Sequence, residues 1–174
     1  MKYDVVIIGG GWAGRGAAKQ AAAAGRKVCL VTAGLTLEDR GDTPYAGLYE
    51  LTKMGVSVLR GDMVVRPEWD GATLSRVHTA NGLTLEAGEY ILATGRFFSR
   101  GLVADMDRVY EPVFGAEVNC PSDRAKWFDP DFFAPQPFEK IGLRTTPEGN
   151  IYIDGKPAAN VKATGSILGD HAGD

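Results

Sequence analysis

Histidine and cysteine are scarce, two of each in 174 residues, and Cys29 and Cys120 form neither a CxxC pair nor part of a Cys/His cluster. The chain alone therefore lacks the ligands for a structural zinc or an iron–sulfur cluster, and no metal site is expected. Long apolar runs are missing too. Nowhere do about 18 apolar residues follow one another, the length a membrane helix needs, and residues 1–4 are too short a lead for a signal peptide. These absences predict a cytoplasmic location, with membrane contact only through a partner. No Lys/Arg-rich block stands out, and 19 basic against 22 acidic residues give a net charge of −3, so nucleic acid is not expected as a partner. The composition, 44% hydrophobic and 24% charged, suits one compact domain over residues 1–174, with no length for a second.

What is present begins with residues 5–8, a continuous β-branched apolar run of the kind found in parallel strands covered on both faces. It leads into Gly9-Gly10-Gly11-Trp12-Ala13-Gly14. The alanines that follow predict a helix over residues 12–24, stopped by Gly25. Residues 27–31 read as a second parallel strand, completing a βαβ unit of Rossmann length. Thr43-Pro44 resembles an N-cap with proline at the first helical position, opening a helix through Met54 that Gly55 ends. Residues 56–59 and 63–65 read as extended, and Asp70-Gly71 and Asn81-Gly82 predict two hairpin turns. The expectation is a small antiparallel meander inserted before the next buried strand, residues 90–93. From 96 to 150 the periodicity fades into an irregular insertion rich in proline and aromatics. Order returns at the turn Glu148-Gly149-Asn150, with extended residues 151–153 and a polar stretch running into Val161 and Thr164-Gly165.

Gly9, Gly11 and Gly14 have GxGxxG spacing after a strand and at a helix start, the context that separates a phosphate-binding loop from a chance match. Gly9 permits a sharp turn, Gly11 lets a pyrophosphate approach the backbone, and Gly14 lets helix and strand pack closely. The first-turn N–H groups, around Trp12 and Ala13, face the anion. The plainer reading is a turn that only joins strand to helix. The nucleotide reading predicts an α/β, Rossmann-like FAD/NAD(P)-binding domain, a parallel sheet with flanking helices and a small antiparallel β-meander. A ribose-binding acid belongs at the end of the second strand, and Thr32 stands there instead. Exchanging a charge-assisted hydrogen bond of about 1.5–3 kcal/mol for a neutral one near ~1 kcal/mol lowers affinity roughly tenfold. Thr32 reads equally well as an ordinary strand-end residue, and Cys29 as core packing.

The order of glycine loop, short helices, meander, Ala93-Thr94-Gly95, then Thr164-Gly165 with Gly169-Asp170 resembles the FAD-binding domain of two-dinucleotide-binding flavoproteins. In that group the Gly-Asp position lies beside the flavin's ribityl chain. Within it, residues 93–104, Glu111-Pro112, residues 131–138 and residues 164–169 are similar to the family formed by the B subunits of anaerobic glycerol-3-phosphate dehydrogenase. A long middle region is missing after Gly34, as in a shortened version. The resemblance implies a flavin-carrying oxidoreductase subunit that relays electrons toward quinone beside other subunits of a dehydrogenase complex, with a homo-oligomer as the other assembly considered. It implies FAD, with FMN as the alternative. Three departures stand out. Arg100 replaces a usual glycine, Asp170-His171-Ala172 replaces a Gly-Gly-aromatic-Asp pattern, and the residues after Asp170 are too few for the helix that stabilises negative charge on a reduced flavin.

The expected cofactor-binding set is Gly9, Gly11, Trp12, Ala13 and Gly14 at the pyrophosphate, Thr32 at the ribose, and Val64 near adenine through its main chain. Thr94, Gly95, Arg96, Gly169 and Asp170 lie toward the flavin and its phosphates. Val64 reads equally as strand core, Arg15 and Arg96 as solvated arginines, Asp170 as a turn residue and His171 as an exposed residue, while His78 is treated as structural. No residue is assigned as a substrate base. Two other functions stand beside the first. One is a stand-alone NAD(P)H-dependent flavin oxidoreductase, which would need a second nucleotide site where one glycine fingerprint is present. The other is a degenerate structural subunit without cofactor. Finally, Trp127, Phe128, Phe132, Phe133 and Phe138, interrupted by Pro130, Pro135 and Pro137, predict a protein contact with at least two rings exposed. The bland reading for each ring is packing on the domain's own sheet.

Overall fold

The computed structural model describes residues 1–34 and 44–173, with the backbone path alone for 44–46 and 170–173. The apolar run forms β1 (Lys2–Ile8) in the sheet interior, with Val5, Val6, Ile7 and Ile8 all buried, as a strand covered on both faces requires. α1 (Trp12–Ala23) returns the chain to β2 (Val28–Thr32), which pairs parallel with β1 from Val5↔Val28 to Ile8↔Val31. α2 (Pro44–Lys53) starts at the proline; Thr43 lies outside the described residues. Gly25 and Gly55 follow the two helices at φ 76° and 85°, the left-handed stop that glycine adopts without strain. β3 (Ser57–Arg60) then pairs parallel with β2.

β4 (Val64–Asp70) and β5 (Thr73–Thr79) form the first hairpin, and the chain turns through Asn81-Gly82 into β6 (Thr84–Leu92). Here the fold differs from the sequence reading, because the last meander strand and the next buried strand are one. β6 begins antiparallel to β5 at His78↔Thr84 and continues as the parallel neighbour of β1 to Ile8↔Leu92. Ala87-Gly88 interrupts its apolar pattern, which hides the continuity. The Tyr90 hydroxyl fills the gap, accepting the Ala87 N–H at 2.9 Å and donating to the Ser75 carbonyl at 3.0 Å. The strand thus passes between two sheets while that backbone donor stays paired.

Between Arg96 and Gly149 the described chain forms only two-residue strands and 3-10 turns. β7 (Val103–Ala104) pairs with β8 (Val109–Tyr110), and β9 (Val118–Asn119) with β10 (Gly142–Leu143). The turns are Arg124–Lys126 and Pro137–Lys140. Buried Glu111 braces this segment by accepting the N–H groups of Val113, Phe114 and Ala116 at 2.6, 2.8 and 3.2 Å. Burial pushes its carboxyl up, against the pull of those donors. β11 (Asn150–Ile153) and β12 (Lys156–Ala163) close a hairpin through Asp154-Gly155, with φ of 49° and 76°. The sheet order is β11-β12-β6-β1-β2-β3, with every pairing from β12 to β3 parallel. This is a Rossmann-like α/β sheet with an antiparallel meander.

Strand alternation sorts the core. Val5, Ile7, Val28 and Leu30 pack with Ala18 and Leu48 of the helices, while Val6, Ile8, Cys29 and Val31 pack on the other face with Tyr90 and Ile167. Burial pushes the Cys29 thiol up to about 11. It therefore stays protonated at neutral pH and packs as a small hydrophobe.

Candidate cofactor site

Three strand ends meet at the carboxyl edge of the sheet. Gly9 donates to the Val31 carbonyl at 2.9 Å, Ala93 to Ile8 at 2.8 Å, and Thr164 to Leu92 at 3.0 Å. Loops 9–14, 93–96 and 164–165 are thereby brought side by side, the place where open α/β sheets bind ligands. The glycines permit the closeness. A Cβ on Gly9, which sits at φ 112°, would lie 2.1 Å from the Ala93 carbonyl oxygen, and one on Gly14 would lie 1.8 Å from that of Gly9. Gly10 and Gly165 have packing roles that the motif spacing does not show: a Cβ on Gly10 would lie 2.6 Å from the Thr32 side chain, and one on Gly165 would lie 2.5 Å from Ala13 Cβ.

Gly11 is different. Its backbone is extended, at φ −71° and ψ −170°, it occupies the N-cap of α1, and no described residue lies within 4 Å of a Cβ placed there. Among the described residues no side chain caps the helix, and no acid sits in its first turn; the Arg15 N–H closes the helix on the Gly11 carbonyl at 3.0 Å. The N–H groups before it have no intrahelical partner, and the helix dipole favours a negative charge at this end. The residues present therefore fit a pyrophosphate at Gly11, Trp12 and Ala13. Arg15 braces the loop, its Nε donating to the Gly10 carbonyl at 2.7 Å and its guanidinium lying 6.0 Å from the Trp12 ring.

At the other end, the Thr94 Oγ1 is buried without a hydrogen-bond partner among the described residues, and the Thr94 carbonyl accepts from Ser99 Oγ at 2.5 Å. Gly95 turns at φ 75°, and a Cβ on Gly101 would lie 2.0 Å from the Gly95 oxygen. Arg100 has φ 63°, a backbone that glycine adopts without strain and that costs the arginine about 1–2 kcal/mol. The Arg96 guanidinium donates to the Glu139 carbonyl, tying loop 93–96 to the Pro137–Lys140 turn. That turn reaches Gly169, where a Cβ would lie 2.8 Å from the Lys140 oxygen. Glu139, Lys140, Gly142 and Ser99 thus surround this end, although no motif marks them. The backbone kinks at Gly169 within Ser166–Gly173; the side chains of Asp170 and His171 lie outside what the structure describes.

Thr32 is buried with its side chain beneath Gly10, and Val64 is buried in the meander-side core opposite Thr79. Between them lies Asp62, which the sequence reading passed over; its N–H donates to the Thr32 carbonyl at 3.2 Å. His78 binds Glu68 on the meander at 2.6 Å, and this contact with the nearby Arg76 and Arg66 holds the Glu68 carboxyl below its usual range. Among the described residues no cluster of His, Cys, Asp and Glu could hold a metal, and no helix is long and apolar enough to cross a membrane.

A family model described as FAD binding domain matches residues 42–173, and one described as glucose inhibited division protein A matches residues 4–45. The B subunit of anaerobic glycerol-3-phosphate dehydrogenase from Haemophilus ducreyi is 35% identical over 127 residues, covering 69% of this chain and 30% of that protein. Its counterpart from Aliivibrio fischeri is 35% identical over 130 residues, covering 67% and 29%. The chain thus spans about 30% of the length of these curated relatives. A solved structure of an oxidoreductase from Agrobacterium tumefaciens is 27% identical over 55% of this chain and 37% of that one, with a TM-score of 0.46. FAD is the cofactor that the family match assigns. The chain belongs to the FAD-binding domain family, homologous within it to the B subunit of anaerobic glycerol-3-phosphate dehydrogenase.

Proposed function

We propose that this chain is the FAD-holding part of a cytoplasmic oxidoreductase subunit resembling the B subunit of anaerobic glycerol-3-phosphate dehydrogenase, and that it relays electrons through bound FAD to a partner subunit. The observation that carries the reading is the open, uncapped helix start at Gly11, set at the carboxyl edge of a parallel sheet. Gly11, Trp12 and Ala13 would hold the pyrophosphate, while Thr94, Gly95 and Gly169 line the flavin end. The bound flavin supplies reversible electron transfer, and the chain supplies position and electrostatics.

A helix N-terminus shaped for two linked phosphates is used only in part by FMN. FAD should therefore bind at least about tenfold more tightly than FMN in a fluorescence titration of the purified chain. Equal or tighter FMN binding would argue against the reading, and a chain that retains no flavin would favour the structural-subunit alternative.

Between Gly95 and β12 the fold offers only short strands and 3-10 turns, with no substrate-sized domain. The isolated chain, loaded with FAD, should show no glycerol 3-phosphate oxidation above background with an artificial acceptor. Steady turnover without a partner would overturn the relay role. Sustained NADH oxidation would instead favour the stand-alone oxidoreductase.

A further inference from the structure

We infer that Asp62 binds the adenosine half of the cofactor, its second carboxylate oxygen accepting a hydrogen bond from a ribose hydroxyl or from the adenine amino group. This rests on the FAD assignment above and adds a residue that the glycine motif does not contain.

Asp62 is 3% exposed. One oxygen, Oδ1, accepts the N–H groups of Met63 and Asn81 at 2.9 and 3.0 Å, which ties the bend after β3 to the β5–β6 turn. The other, Oδ2, is buried with no hydrogen-bond partner among the described residues. A buried carboxylate oxygen left unpaired is costly, so a donor from elsewhere would satisfy it. A purely structural role does not account for it, because an asparagine would make the same two Oδ1 bonds without burying a charge.

Its position indicates the donor. The Asp62 N–H is bonded to the carbonyl of Thr32, the last residue of β2, where Rossmann folds place an acid for the ribose. The Thr32 side chain is packed under Gly10. The acid thus lies one strand over, just past the end of β3. A carboxylate accepts from neutral donors and repels phosphate, so the matching group is an unphosphorylated adenosine rather than the pyrophosphate.

The test uses the full chain, titrated with FAD, FMN and ADP. Asp62→Asn keeps an acceptor at Oδ1 and puts a donor at Oδ2. The expected result is an FAD and ADP affinity about tenfold lower, with FMN affinity and melting temperature unchanged. Unchanged FAD affinity, or an equal loss for FAD and FMN, would overturn the inference. A ligand-side measurement needs no variant: the unmodified chain should bind either 2′-deoxy-ADP or inosine diphosphate about tenfold more weakly than ADP, and equal binding of all three would also overturn it. Failure of the unmodified chain to bind FAD at all would instead overturn the FAD assignment.

Discussion

Gly11→Val should give a folded domain that melts within a few degrees of the parent and retains almost no FAD. At φ −71° and ψ −170° the Gly11 backbone suits any L-residue, and no atom of the described residues lies within 4 Å of its added Cβ, so the change meets no clash and costs the fold only the exchange of a good N-cap residue for a poor one, about 1 kcal/mol. The valine branches fill the space in front of the first-turn N–H groups of α1, which a pyrophosphate must reach. Losing that contact should weaken FAD by at least about a hundredfold, roughly 3 kcal/mol. Gly14→Val is the contrasting case. Its Cβ would lie 1.8 Å from the Gly9 oxygen, so helix and strand must separate and the melting temperature should fall together with binding. Circular dichroism melts, with flavin absorbance after gel filtration, distinguish the two. Unchanged FAD affinity in the Gly11 variant would show that the loop is only a connection.

The contrast between these glycines shows what a sequence can and cannot disclose. Strand, glycine loop and helix are local, and their order is readable because each element carries its own periodicity and stop signal. The hairpins at Asp70-Gly71 and Asn81-Gly82 were legible for the same reason. What stayed hidden depends on contacts between distant segments. Gly10 is needed because Thr32 lies behind it, and Gly165 because Ala13 lies against it. Neither requirement leaves a trace in spacing. Asp62 looks like any polar residue in a turn until β3 is laid beside β2 and its N–H meets Thr32. The continuity of β6 was obscured by Ala87-Gly88, where the Tyr90 hydroxyl takes the Ala87 N–H while Ala87 stays paired with Tyr3 of β1. Arg96 gave no hint of its carbonyl partner at Glu139, on a turn far along the chain.

Changing Phe132 and Phe133 together to serine should release the chain from the partner subunit proposed above while leaving FAD binding and the melting temperature unaltered. Of the five aromatic residues in this segment, Trp127 alone packs into the core; Phe128 and Phe138 are exposed, and Phe132 and Phe133 are 85% and 92% exposed. The two outer rings meet edge to face at 5.6 Å. They are carried on a tightly pinned loop. Gln136 accepts the Asp129 N–H at 3.0 Å and donates to the Asp131 and Ala134 carbonyls at 3.0 and 3.1 Å. The side chains of Asp129 and Asp131 cap the N–H groups of Asp131 and Phe133 at 2.9 and 3.0 Å. A loop held this way has little conformational entropy left to lose on binding, which is the economy of a preorganised contact. Aromatic anchors buried at the centre of a contact each cost about 2 kcal/mol or more when truncated, and that is the role expected of this pair. Loss of both should weaken association roughly thousandfold. Because neither ring packs into the core, folding should not register the change. Co-purification with the proposed partner subunit, compared with sedimentation of the chain alone, measures the effect. Partner binding that survives the double substitution would mean that the loop's rigidity serves only its own fold, and the contact would have to lie on another face.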